Sequence, residues 1–233
     1  MSSTGDEIAL LAVLEGALHD LREPATHLQS FTEELRATPG RSGALDATRL
    51  ERAHRAASRI TGLVEAIRPF VRLQRTAPVI ARVSAEEAFQ EVLLRLSVLI
   101  EDTGASIHHD VLPDLDTDRP RLVLVLQELL ANAIRFRGEH PSVVSVTATR
   151  HGGDVAFEVA DNGIGIEAAY LDRVFAPFER LHSRQSYPGH GLGLALCRQA
   201  LGDLGGRIWA EPRAGGGTHM RFVLPSPRTA YPA

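Results

Sequence analysis

The sequence predicts an α+β protein in two parts. An N-terminal antiparallel helical hairpin, forming a dimeric four-helix bundle, is expected over residues 1–75, and an α/β sandwich over residues 76–233. Three observations lead there. Apolar residues recur at steps of three and four along residues 11–70, the pattern of a helical seam. Past residue 76 the apolar runs shorten and alternate, as strands do. Glycine-rich turns separate those runs and close a late helix.

In the first part, Leu11, Leu14, Leu18, Leu21, Ala25, Leu28, Phe31 and Leu35 share one stripe. The turn-forming stretch from Thr38 to Gly43 interrupts it. Ala53, Ala56, Ile60, Leu63, Ile67 and Phe70 then resume the same steps. A hairpin with one long apolar stripe cannot bury it alone, whereas two hairpins together can, so a homodimer is expected.

In the second part, residues 76–83 read as a linker running into a strand. Ser84, with Glu87 three residues on, signals an N-cap for a helix reaching about Asp102. A short strand is expected from Ala105 to Val111. Asp118 caps the next helix, with Pro120 in its first turn, and that helix runs to about Phe136. Val143–Arg150 and Val155–Ala160 read as a hairpin about Gly152-Gly153, and residues 163–189 as irregular. A helix over Leu192–Leu204 ends at Gly205-Gly206, and two strands, Arg207–Ala210 and His219–Leu224, complete the sheet.

Composition narrows the function classes. The chain has 233 residues, 44% hydrophobic and 23% charged, and a formal net charge of −4. That balance argues against broad attraction to nucleic acid or anionic membrane. The single cysteine, Cys197, excludes an internal disulfide framework and fits a reducing compartment. No apolar run approaches the roughly 20 residues of a membrane helix. The N-terminus lacks a basic stretch before its apolar residues, so a cytoplasmic protein without a signal peptide is expected.

Three motifs follow one another in the second part. The helix carries Glu128-Leu-Leu-Ala-Asn132-Ala-Ile-Arg135-Phe136. Asp161-Asn-Gly163-Ile-Gly165 follows a strand, and Gly189-His-Gly191-Leu-Gly193-Leu194 opens a helix. Between the last two lies Val174-Phe-Ala-Pro-Phe178-Glu-Arg180, continuing through Arg184 to Gly189. Near the N-terminus stands Leu18-His19-Asp20-Leu21-Arg22-Glu23-Pro24. In this order and spacing, the motifs resemble the catalytic region of bacterial sensor histidine kinases, especially phytochrome-like ones. Their ATP-binding domain is shared with DNA gyrase, a class of heat-shock chaperones and MutL. The resemblance extends from about residue 8 to residue 225.

The resemblance implies ATP and Mg²⁺ as cofactors and a nucleotide site made of Asn132, Arg135, Phe136, Asp161, Gly163, Gly165, Arg180, Arg184, Gly189, Gly191, Gly193 and Leu194. Elementary chemistry is compatible with each role. Asn132 offers a neutral oxygen to a hard Mg²⁺ ion. Asp161, at a strand end, can accept a hydrogen bond from the adenine amino group. The later glycines leave amides free at a helix N-terminus, where phosphates bind. Arg180 and Arg184 can reach a triphosphate from a lid that Phe175 and Phe178 anchor. The N-terminal motif makes His19 the phosphoacceptor, flanking the seam, with Asp20 as a partner for its ring proton. Pro24 favours a kink close by.

The expected function is ATP-dependent phosphorylation of His19 and transfer to an aspartate in a response-regulator receiver domain. The alternative is a histidine phosphotransfer scaffold whose ATP-binding domain is vestigial. The signal would come from a separate sensor protein or from a sensor domain not included in this sequence. Four positions depart from the family pattern. Glu128 replaces a common asparagine and suggests a carboxylate with a catalytic part. His190 replaces a threonine and Ala25 a leucine. Glu23 stands where Thr or Asn serves dephosphorylation of the regulator, so kinase activity is expected to outweigh phosphatase activity. The seam yields the first prediction: the full chain is a dimer in light scattering at micromolar concentration, and the chain from Thr76 onward is a monomer. A monomeric full chain would rule out the bundle.

Overall fold

The computed structural model describes residues 16–17, 21–30, 47–182, 187 and 189–225. The chain divides into two compact units, Met1–Arg75 and Thr76–Ala233. His19, Asp20 and Arg184, the seam positions Leu11, Leu14, Leu18, Phe31 and Leu35, and the expected hairpin turn lie outside the described residues.

In the first unit, residues 21–30 are helical, and α1 spans Ala47–Arg75. Its seam positions Ala56, Leu63 and Phe70 are buried, as a seven-residue repeat requires of one stripe. Arg59 of α1 reaches back to Glu23, with Nη2 3.0 Å from Oε2 and Nη1 3.5 Å from Oε1.

The second unit is a mixed sheet with helices against one face. Its elements are β1 (Ala81–Ser84), α2 (Ala85–Arg95), α3 (Ser97–Thr103), β2 (Ser106–His109), β3 (Asp114–Thr117), α4 (Arg119–Arg135), β4 (Val143–His151), β5 (Asp154–Ala160), α5 (Gly193–Gly202), β6 (Arg207–Pro212) and β7 (Thr218–Leu224). Two 3₁₀ turns, Ala168–Tyr170 and Arg173–Phe175, interrupt the stretch read as irregular. The main sheet has the order β2-β4-β5-β7-β6. All its pairings are antiparallel except β2 with β4, which is parallel. Alternating burial along β5 and β7 leaves Val155, Phe157, Val159, Met220, Phe222 and Leu224 on the covered face. Phe157 and Phe222 sit opposite each other in register and stack with ring centroids 4.6 Å apart.

Helices α4 and α5 pack on that face and on each other. Leu122, Leu126, Leu129, Leu130 and Ile134 of α4 are essentially inaccessible, following its apolar stripe. Asp118 caps α4 as expected, its Oδ1 accepting from Arg121 N at 2.9 Å. Ser84 caps α2 in the same way, accepting from Glu87 N at 3.2 Å. Gly205, in the left-handed region, ends the α5 segment while Gly206 N donates to Leu201 O at 2.8 Å.

Two expectations change. The single helix from Ser84 to Asp102 is broken at Leu96, which keeps its side chain buried while Leu94 and Val98 on either side face solvent. A strand not anticipated, β3, pairs antiparallel with β1 to form a separate two-stranded sheet. Its sequence, Asp-Leu-Asp-Thr, has poor strand propensity, yet Leu115 and Thr117 alternate inward.

A buried polar cluster ties the entry of the second unit to the start of α4 and the end of α5. Arg121, 4% exposed in its side chain, places Nη1 3.4 Å from Asp118 Oδ2 and Nη2 3.1 Å from Asp203 Oδ2. Its Nη2 also donates to Thr76 O at 2.6 Å, and Asp118 Oδ2 accepts from Val79 N at 2.8 Å. One guanidinium thus compensates two carboxylates and fixes the strand-entry backbone. Replacing it by an apolar residue would strand those carboxylates. Arg121→Met is expected to cost about 3–5 kcal/mol, read as a lowered denaturant midpoint; an unchanged midpoint would show that water compensates the pair.

Candidate functional site

Asp161 lies one residue past β5 and is 8% exposed. Its Oδ1 accepts from Gly163 N at 2.8 Å and from Thr218 N at 3.2 Å. Its own amide donates to Thr218 O at 3.0 Å, and its carbonyl accepts from Arg213 Nη1 at 2.8 Å. Oδ2 has no hydrogen-bond partner among the described residues, so the carboxylate is fixed at one oxygen and open at the other. Burial raises this carboxyl above the ordinary carboxylate range. The amides of Gly163 and Thr218 oppose that, as do the charges of Arg213 and His219.

Glycine is required around this carboxylate by close approach. A side chain at Gly163 would strike the carbonyl of Phe136 and crowd Asp161 Oδ1, and one at Gly217 would strike the Asp161 carbonyl. Ile164 N donates to Phe136 O at 3.0 Å, which ties the end of α4 to the loop after β5. Gly165, with φ at +75°, rests against Gly217. Asp161, Gly163, Gly165 and Phe136 are therefore brought together.

The α4 residues sit beside this frame. Asn132 is partly buried, and its carboxamide makes no hydrogen bond among the described residues. Arg135 is exposed. The Phe136 ring lies 5.0 Å from that of Tyr187 and 6.3 Å from His182, and Tyr187 Oη donates to Arg137 O at 3.1 Å. Glu128 is held against the start of α5, where any side chain at Gly193 would strike its carboxylate. Burial raises the Glu128 carboxyl, and Arg135 partly opposes this. The neighbouring Cys197 is fully buried, and burial together with the Glu128 charge pushes its thiol well up.

At the entrance to α5, Leu192 supplies no side-chain cap, and the first intrahelical bond runs from Leu196 N to Leu192 O. The amides of Gly193, Leu194 and Ala195 are thus the orphan donors of a helix N-terminus, a setting for an anion. Gly191, with φ at +71°, accepts through its carbonyl from Phe178 N at 2.8 Å, and Phe178 itself adopts φ of +61°. Phe175 is buried as an anchor should be. Arg180 is engaged with main chain: it donates to the carbonyls of Gly189 and Tyr187, the latter at 2.9 Å. In this arrangement Arg180 shapes the loop rather than projecting from it.

The residues fit an adenine nucleotide with its ion. An open carboxylate oxygen suits an exocyclic amine, a free carboxamide oxygen suits Mg²⁺, and orphan amides suit phosphates. Among the described residues no group of three or more His, Cys, Asp or Glu side chains converges on a metal position. Sequence reasoning missed Arg213, Gly217 and Thr218, which build the wall behind Asp161. The Gly215-Gly216-Gly217-Thr218 run after β6 was the available signal.

Residues 117–228 match the family of histidine kinase-, DNA gyrase B- and HSP90-like ATPases. Cyanobacterial phytochrome A of Nostoc sp. (strain PCC 7120) is 33% identical over 210 residues, 90% of this chain and 28% of that protein. The chain thus spans under a third of this relative's length. The catalytic domain of histidine kinase ThkA is 26% identical with a TM-score of 0.56, covering 64% of this chain and 96% of that one. ThkA in complex with response regulator protein TrrA shares the fold, at 20% identity and a TM-score of 0.70 over 90% of this chain and 60% of that one. No helix among the described residues is long and apolar enough to cross a membrane. Residues 117–228 of the chain are an ATPase domain of this family, and along most of its length the chain is similar to the catalytic region of phytochrome-like histidine kinases.

Proposed function

We propose that the chain is the working core of a two-component sensor kinase, with a phosphoacceptor and dimerisation domain over residues 1–75 and a nucleotide domain over residues 76–233. The observation that carries this reading is the half-satisfied Asp161 carboxylate beside Gly163, in a domain of this ATPase family.

ATP binds with its adenine amino group on Asp161 Oδ2 and its ring beside Gly163, Gly165 and Phe136. The phosphates lie toward the amides following Gly191, with Leu194 in the first turn of α5, and Arg135 and Arg184 add positive charge along the way. Asn132 would hold Mg²⁺, which when bound neutralises phosphate charge. The His19 ring nitrogen attacks the γ-phosphorus, a P–N bond forms, and the bond to the β-phosphate oxygen breaks to release ADP. The ring proton passes to Asp20. An aspartate oxygen of a receiver domain then attacks phosphorus and displaces the histidine. ThkA's complex with its regulator supports a partner of that kind.

Two chains pair through their N-terminal helices, giving a homodimer; Ala56, Leu63 and Phe70 are already covered within one chain, so the pairing surface on α1 is the part that carries the exposed Leu50, Val64 and Val71. Glu23 lies one turn after His19 in sequence and carries Arg59 as its counter-charge. This exposed pair contributes little stability, but it fills with an ion pair the position where a water-orienting amide or hydroxyl serves the phosphatase reaction. Dephosphorylation of the regulator is accordingly weak. Asp161 Oδ2 and the Asn132 carboxamide oxygen, without partners among the described residues, favour a functioning nucleotide site over a vestigial one.

The test is labelling with γ-³²P-ATP. The product should be acid-labile and alkali-stable, as phosphohistidine is, and should disappear in His19→Gln without loss of nucleotide binding. Asn132→Ala should lose Mg²⁺-dependent labelling because one ligand of a sparsely held ion is gone. Persistent label in His19→Gln would move the acceptor elsewhere.

A further inference from the structure

Arg213 has no part in the reading above, yet its side chain ends on the residue that reads the base. It stands between β6 and β7, where Arg213 N donates to Gly217 O at 3.2 Å and Gly216 N donates to Arg213 O at 3.2 Å. The turn closed in this way carries three successive glycines with positive φ, and the last of them presses on the Asp161 carbonyl. From it the Arg213 guanidinium reaches 2.8 Å to that same carbonyl. The following residue of β7, Thr218, supplies an amide to Asp161 Oδ1 at 3.2 Å. Main chain and side chain of one turn therefore hold both ends of Asp161, while Oδ2 is left open.

We infer that Arg213 is a positioning residue that sets the purine preference of the nucleotide site, by fixing the Asp161 peptide and keeping a positive charge beside its carboxylate. This rests on the reading that Asp161 Oδ2 accepts from the adenine amino group. Guanine presents a carbonyl oxygen where adenine presents that amine. An ionised carboxylate accepts from adenine and repels guanine; a protonated one can donate to guanine, and the distinction fades. Among the described residues, Arg213 from the turn and His219 from β7 face Asp161 with charge to offer, and burial works against both. His219 is already engaged, its Nδ1 3.0 Å from Glu158 Oε1. Arg213 is the member of the pair that also grips the Asp161 carbonyl, so it acts on the position of Asp161 as well as on its charge.

The sign follows. Removing Arg213 leaves burial less opposed, so the Asp161 carboxyl takes up its proton at higher pH than in the parent. Discrimination against guanine should then be lost earlier on acidification. The experiment is calorimetric titration of the full chain with non-hydrolysable ATP and GTP analogues, with Mg²⁺, across a pH series. Arg213→Met should lose roughly tenfold of the adenine preference near neutrality, the scale of one charged hydrogen bond, and its pH midpoint should move up. Arg213→Lys, which keeps the charge, should retain most of both. Repeating the series on a His219→Gln background separates the contribution of Arg213 from that of its neighbour on β7. Should Arg213→Met fail to fold by circular dichroism, Arg213→Gln, which keeps a donor and drops the charge, takes its place. A parent-like preference and midpoint in the Met or Gln variant, with both lost in Asp161→Ala, would overturn the role of Arg213 alone. An adenine preference surviving in Asp161→Ala would overturn the base-reading role itself and this inference with it.

Discussion

The site is organised by one buried carboxylate that the fold satisfies on one side only. Asp161 sits at the end of a central strand, where Thr218 on the adjacent strand and Gly163 in the following loop each lend an amide to Oδ1. Burial opposes the charge, and those amides with Arg213 and His219 sustain it. An aspartate so placed has little freedom to turn. Its open oxygen therefore projects in a direction set by the sheet before any ligand arrives, which limits the ordering cost of binding. The glycines at 163 and 217 follow from the same constraint, since a side chain at either would displace the Asp161 backbone or carboxylate.

The proposed phosphate end depends on how α4 and α5 meet. Close approach of Glu128 to Gly193 sets the entrance of α5 beside the α4 face that carries Asn132. At the far end of the same pair, Arg121 joins the start of α4 to Asp203 at the end of α5 and to the entering backbone at Thr76. Thus the helix bearing the carboxamide and the helix bearing the orphan amides are joined at both ends, by a tight carboxylate-to-glycine contact and by a buried ion cluster. Such clusters contribute geometry more dependably than net stability. Tyr187 is secured differently, by the Arg180 guanidinium donating to its carbonyl and by a ring contact with Phe136.

Much of this was legible in the sequence where the signal is local. The caps at Ser84 and Asp118, the hairpin of β4 and β5, and the glycine stop after α5 all rest on neighbours within a few residues. The Asn132, Asp161 and glycine motifs stand out in the sequence because their residues cluster along the chain. What escaped depends on distant partners. β3 is a strand because β1 lies beside it, not because Asp-Leu-Asp-Thr favours one. Arg213 is far from Asp161 in sequence, and a lone arginine before a glycine run reads as a solvated turn residue. Arg180 looked like a phosphate ligand by charge, whereas in this structure it bonds loop carbonyls. His19, Asp20 and Arg184 lie outside the described residues, so their roles rest on the motif and on chemistry.

The most direct test of this account is a crystal structure of the chain with a non-hydrolysable ATP analogue and Mg²⁺. It should show the adenine amino group within hydrogen-bonding distance of Asp161 Oδ2, with Oδ1 still held by Gly163 and Thr218, and the Asn132 oxygen on the ion. A nucleotide bound with Asp161 turned away from the base, or with Oδ1 released from its two amides to meet it, would contradict the claim that the fold presents this carboxylate ready-made.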